Sequence, residues 1–154
     1  MADIVDASTR SIMMSRVKGK DTRQEVEIRK RLFALGFRYR LHDKKLPGTP
    51  DIVLPKYKAV VFIHGCFWHV HDCDLFKWPS SKKAFWKTKL KENRKRDIAN
   101  ISSLQELGWR VLVIWECAYR GVGKKYDIEF DKLARNAAKW LRSSLRTLEI
   151  RGMT

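Results

Sequence analysis

The sequence predicts a single α/β domain with a short mixed sheet flanked by helices, and three observations carry that reading. Two runs, Ala59–His64 and Arg110–Trp115, are apolar enough to be strands buried on both faces. Segments with apolar residues at helical spacing precede, separate and follow them. A length of 154 residues suits one domain, and four scattered prolines without a repeat, a low-complexity tract or a Gly/Ser/Pro linker mark no boundary within it.

The elements follow in order. After a polar, basic arm over residues 1–20, Asp21 with Gln24 three positions on signals a capping box, and Val26, Ile28, Leu32, Phe33 and Leu35 recur at helical spacing. Gly36 closes this helix. Residues 37–41 alternate as a strand, and Leu46-Pro47-Gly48-Thr49-Pro50 is a turn cluster leading into a second strand over 51–54. Pro55 separates it from the third strand at 59–64, and residues 65–80 read as irregular. From about Lys82 to Leu107 the pattern is helical, with Phe85, Trp86 and Leu90 in its first part and Ile98, Ile101 and Leu104 in its second, until Gly108 ends it. A fourth strand follows at 110–115. The C-terminal segment, 122–154, is an amphipathic helix from about Ile128 to Leu145. The expected order is thus helix, three strands, helix, strand, helix.

Composition narrows the function. With 44% hydrophobic and 11% aromatic residues the chain is no disordered segment, because the aromatic side chains supply the apolar area such segments lack. Lys and Arg number 33 against 17 acidic residues, so a net charge of +16 must sit on a folded surface, and nucleic acid is the partner a basic domain most often meets. No apolar run approaches the roughly 18 residues of a membrane span, and the start at Met1 has neither a basic nor an apolar leader region. A cytoplasmic protein, associated with the nucleoid, is expected. Three cysteines are an odd number, which argues against a disulfide framework and leaves thiols for metal or catalysis.

Three of the four histidines and two of the three cysteines fall in His64-Gly65-Cys66-Phe67-Trp68-His69-Val70-His71-Asp72-Cys73. Zinc takes Cys and His at short local spacing with a ligand from a distant segment, and Cys117 is the one cysteine left. Cys66, His71, Cys73 and Cys117 would make a closed, structural Zn2+ site; the alternative is a set of small buried thiols and exposed imidazoles.

Pro50-Asp51 and, ten residues on, Phe62-Ile63-His64 place an aspartate and a histidine on neighbouring strand ends. This resembles the Pro-Asp…(Asp/Glu)-x-Lys arrangement of restriction-endonuclease-like nucleases. Joined to Arg10-Ser11, Gly19-Lys20-Asp21-Thr22, Leu46-Pro47-Gly48, the Gly-Cys-Phe-Trp-His block, Phe85-Trp86-x-x-Lys89, Arg96-Asp97 and Gly108-Trp109-x-Val111…Trp115-Glu116-Cys117, it resembles the very short patch repair (Vsr) DNA mismatch endonucleases over residues 8 to 120.

That resemblance implies a restriction-endonuclease-like core and a Mg2+-dependent phosphodiester hydrolase. It implies nicking of one strand 5′ of the thymine in T·G mispairs left by deamination of 5-methylcytosine, with a 3′-hydroxyl and a 5′-phosphate as products. By the same resemblance Asp51 and the main-chain carbonyl of Ile63 bind magnesium, and His69 is the general base oriented by Asp97. His64 contacts the scissile phosphate or a water of the metal, and Glu25 is a secondary carboxylate. Taken without the resemblance, Asp51 is a turn cap and Asp97 and Glu25 are ordinary helix charges. Phe67, Trp68 and Trp86 match an aromatic wedge that opens the base step beside the mispair, which costs least where pairing is already poor. Met14 on the arm, Lys89 and Asn93 match contacts to the displaced bases. Eight basic residues against two acidic ones between Lys82 and Asp97 read as a phosphate track beside the wedge. Mismatched double-stranded DNA is the expected partner of a monomer, with repair factors as further ones. The rival readings are a restriction-type nuclease acting on paired duplex and a zinc-stapled DNA-binding module without catalysis.

Overall fold

The computed structural model describes residues 22–120 and 126–152, and the expectations placed on the arm, Met14 among them, lie outside those residues. The chain forms α1 (Arg23–Ala34), β1 (Arg40–Leu41), β2 (Ile52–Leu54), β3 (Ala59–His64), α2 (Lys83–Glu106), β4 (Arg110–Trp115), α3 (Tyr126–Leu141) and β5 (Thr147–Ile150). The five strands make one mixed sheet in the order β1-β2-β3-β4-β5. β1, β2 and β3 pair antiparallel, whereas β3, β4 and β5 pair parallel with α2 and α3 as their crossovers. No helix among the described residues is long and apolar enough to cross a membrane.

Alternation along the strands divides the core in two. Ile52, Leu54, Ala59, Val61, Leu112 and Ile114 face α1 and α3, meeting Ile28, Leu32, Phe130, Leu133 and Trp140. Val53, Val60, Phe62, Val111, Val113 and Trp115 face α2, where Leu104 and half-buried Ile101 meet Cys66. Both faces of β3 and β4 are therefore covered, which is why these strands are apolar throughout.

The structure departs from the expected elements at their ends. Thr22, not Asp21, caps α1: its side chain accepts the main-chain N–H of Glu25. Glu25 itself is buried with Ile28 and Leu32, while Phe33 and Leu35, counted on the apolar face by their spacing, are exposed. The first strand shortens to two residues. α3 stops at Leu141 rather than Leu145 because the Arg110 guanidinium takes the carbonyls of Trp140 and Ser143 at 2.8 Å each and that of Leu141 at 3.2 Å. The chain is thereby released into β5, so the C-terminal segment contains a strand as well as the expected helix.

Candidate active site

The end of β3 is the centre of the site. There the sheet pairing runs out, and the loop from Gly65 to Ser81 contains no helix or strand. Its folding is fixed instead by side chains. The metal-ligating atoms of Cys66, His71, Cys73 and Cys117 all lie within 4.8 Å of one another. His71 Nδ1 stands 3.6 Å from both Cys66 Sγ and Cys117 Sγ, and a tetrahedral ion with Zn–S and Zn–N bonds of ordinary length sets such pairs about 3.5 Å apart. Donor type, number and spacing fit a structural zinc site. Burial, with Arg151 nearby, holds His71 below the usual histidine range, which favours the neutral imidazole that a metal needs. The main-chain N–H of Cys117 donates to Cys66 Sγ, and that of Gly152 to Cys117 Sγ, each at 3.3 Å. A side chain at position 152 would not fit, since a Cβ there would lie 2.2 Å from the Cys117 carbonyl oxygen. Arg151 adds two bonds of 2.8 Å to Asp72 of the loop. Nothing in the sequence reading singled out Arg151 or Gly152, whose role depends on the unforeseen β5.

The clasped loop presents His69. Its Nδ1 hydrogen bonds the Asp97 carboxylate of α2, and its ring stacks on that of His64 with centroids 3.8 Å apart and planes 5° from parallel. Val70, next in the chain, has a φ of +51°, a left-handed conformation that a β-branched residue adopts only under constraint. Two bonds impose it: Arg94 donates to the Val70 carbonyl at 2.7 Å, and the His71 N–H donates to the Cys66 carbonyl at 3.0 Å. Arg94 thus braces the loop in addition to contributing charge. His64 is 6% exposed, and its Nδ1 has no hydrogen-bond partner among the described residues. Burial, then the neighbouring His69 and His71, hold His64 well below the usual histidine range, so it is neutral at pH 7.

A second cluster, Glu25, His42 and Asp51, also holds its ligating atoms within 4.8 Å of one another. Asp51 Oδ2 accepts the Ile63 N–H at 2.8 Å. Burial pushes its carboxyl up to about 6, against the pull of that hydrogen bond, and the Glu25 carboxylate adds to the rise. His42 and Asp51 of this cluster, together with the separate group of His64, His69 and Asp97, border a cavity of about 800 Å3 that Ile63 also lines. Nothing in the sequence reading singles out His42, the one histidine outside the segment 64–73.

Immediately before His69 in the loop, Phe67 and Trp68 form a mutual cluster with Trp86 of α2, with ring centroids 5.2, 5.5 and 5.9 Å apart. All three are half-buried and lie outside both cores. Asn93 is closer to the wedge than the resemblance implied: its Nδ2 donates to the Trp68 carbonyl at 3.3 Å and so steadies that residue. Lys89 is exposed on the same helix.

Comparison with known proteins gives the family of the chain. The sequence profile of the family described as "DNA mismatch endonuclease Vsr" matches residues 2–75. The DNA mismatch endonuclease Vsr of Escherichia coli (strain K12) is 45% identical over 141 residues, covering 92% of this chain and 88% of that protein. The type II nicking enzyme V.NmeAIP of Neisseria meningitidis serogroup A is 50% identical over 117 residues, with 76% and 84% covered. V.XorIIP of Xanthomonas oryzae pv. oryzae, another type II nicking enzyme, is 43% identical over 123 residues, with 80% and 90% covered. With such identity over nearly its whole length, the chain belongs to the Vsr family of DNA mismatch endonucleases, enzymes of the nicking type that act on DNA.

Proposed function

We propose that the protein nicks one strand of duplex DNA 5′ of the thymine in a T·G mispair produced by deamination of 5-methylcytosine, leaving a 3′-hydroxyl and a 5′-phosphate. The observation that carries this reading is the loop over 65–81, in which three consecutive residues serve both tasks: His69 lines the cavity, while Phe67 and Trp68 form an aromatic cluster with Trp86 of α2. Recognition and hydrolysis would thus be joined by one rigid segment. The oxygen donors of Asp51 and the Ile63 carbonyl suit magnesium, a hard cation that takes few protein ligands. When bound, that ion neutralises charge on the scissile phosphate. His69, fixed through Nδ1 by Asp97, turns Nε2 toward an attacking water and removes its proton. His64 braces the His69 ring from behind, and its neutral state spares His69 a second positive charge. Lys89, Asn93 and, on the arm, Met14 would meet the displaced bases. The protein would work as a single-domain monomer in the bacterial cytoplasm, on nucleoid DNA, with repair factors downstream.

Comparing nicking rates on T·G, fully paired and otherwise mismatched duplexes of one sequence tests the reading. A strong preference for T·G is expected. Equal rates would favour a restriction-type nuclease, and binding without turnover in magnesium a zinc-stapled binding module. Two substitutions separate the parts. His69→Ala should slow nicking by roughly 10²–10⁴-fold with DNA affinity little changed; a near-parental rate would remove His69 as the base. Trp68→Ala deletes stacking worth on the order of 1–3 kcal/mol per base, so it should lower the ratio of T·G to paired nicking rather than slow both alike. An unchanged ratio would place discrimination outside the wedge.

A further inference from the structure

The cavity borders two carboxylate–imidazole pairs, and the proposed reaction so far uses one. The second is His42 with Glu25, whose Nε2 and Oε2 are 2.7 Å apart. It mirrors His69 with Asp97 but comes from different elements, α1 and the loop after β1, and forms a separate cluster. His42 lines the cavity, whereas the Glu25 side chain, 3% exposed, lies behind it and reaches the cavity through the imidazole. Arg29 holds the same Glu25 oxygen at 3.0 Å. His42 is also placed by its backbone: its φ is +49°, and its N–H donates to the Asp51 carbonyl at 3.2 Å. A non-glycine residue persists in the left-handed region only where its surroundings over-determine it. The imidazole is therefore held in register with Asp51 by its main chain and with Glu25 by its side chain.

Phosphodiester hydrolysis requires two proton transfers: the attacking water must lose a proton, and the leaving oxygen must gain one. In an in-line displacement the two occur on opposite sides of phosphorus. We propose that His42, oriented by Glu25, is the general acid that protonates the leaving 3′-oxygen; the inference rests on the nicking reading above. The water oxygen bonds to phosphorus as its proton passes to His69 Nε2. The bond from phosphorus to O3′ breaks with its electron pair on O3′, which takes a proton from His42 Nδ1, the ring nitrogen that Glu25 leaves for another partner. Exchange with solvent then removes the proton from His69 and returns one to His42. Glu25 fixes the ring and makes a charge-assisted hydrogen bond to the imidazolium, so it acts through His42 as a positioning residue.

The test replaces the scissile 3′-oxygen of a T·G duplex with sulfur, because a thiolate leaves without being protonated. Single-turnover nicking is measured on both duplexes for the parent, His42→Ala, His42→Gln and His69→Ala, with melting curves for each protein. The His42 variants should lose roughly 10²-fold or more on the oxygen duplex yet stay within about threefold of the parent on the sulfur duplex, the sign of a missing acid. His69→Ala should lose rate on both. His42→Gln retains an N–H for Glu25 and so separates lost acid catalysis from a lost fold. Equal losses on the two duplexes, or no loss on either, would overturn the assignment, since the ratio within one protein is insensitive to general damage. A parent that nicks neither duplex would overturn the nicking reading itself and leave no leaving oxygen for His42 to protonate.

Discussion

Asp51→Asn is expected to abolish nicking, to leave DNA affinity nearly intact, and to make the protein more stable at neutral pH when magnesium is absent. The first two effects follow from what the substitution removes: an anionic oxygen ligand, but no cation that meets phosphate. The third follows from burial. The Asp51 carboxyl is pushed up to about 6 from its ordinary 3.8 because the native site desolvates it beside Glu25. A carboxyl that binds its proton more tightly in the folded state stabilises the fold below the unfolded pKa, and that contribution is lost as pH rises through the folded one. At pH 8 the ionised Asp51 therefore opposes folding by up to about 3 kcal/mol, an amount a bound cation would offset. Asparagine never ionises and still offers an oxygen to the Ile63 N–H. The variant should melt higher than the parent at pH 8, with the gain shrinking toward pH 4. Added magnesium should raise the melting temperature of the parent alone. Near-parental nicking would show that Asp51 is not the metal ligand, and a variant that melts lower at pH 8 would show that its ionised carboxylate does not oppose folding.

The Cys/His cluster, the three central strands and the order of the first seven elements were legible in the sequence for physical reasons. β3 and β4 announce themselves because both faces are covered, so six consecutive residues had to be apolar. The metal set could be read by chemical type, because Cys66, His71 and Cys73 are neighbours in sequence and Cys117 was the remaining thiol. β5 left no comparable trace. It is a four-residue strand whose outward positions are polar, and it begins where Arg110, 35 residues away from Leu145, caps the carbonyls ending α3. The site divided along the same line. His69 and Asp97 are 28 residues apart, and only the family resemblance paired them; the geometry then brought them into contact. No resemblance pointed to His42, and no periodicity relates it to Glu25, 17 residues earlier. What joins them is a left-handed backbone at His42, and nothing in local residue preference requires a histidine there.

Cys66→Ser is expected to cost the protein its zinc, a large part of its stability and, although position 66 touches no phosphate, its nicking activity. The parent should carry one zinc per chain, measurable by elemental analysis. Cys66 is 0% exposed and packs into the core beneath α2, so its thiol is pushed far above the usual range by burial. An ion must therefore displace a tightly held proton, and zinc affinity should fall as pH is lowered. Serine is a poor ligand for this soft site and would bury a hydroxyl where a sulfur had accepted the Cys117 N–H. The consequences should spread along the loop, because the turn joining Cys66 to His71 contains His69 and the strained Val70. Without the ion holding its two ends, the left-handed turn at Val70 relaxes and the stack of His69 on His64 loses its support. Nicking should then drop by at least the roughly 10²-fold that removing a general base costs, even at temperatures where the sheet remains folded. Circular dichroism, zinc content and single-turnover rates measured together separate these effects. A zinc-free variant with parental activity would show that the cluster does not position His69, and a zinc-free parent would overturn the metal site.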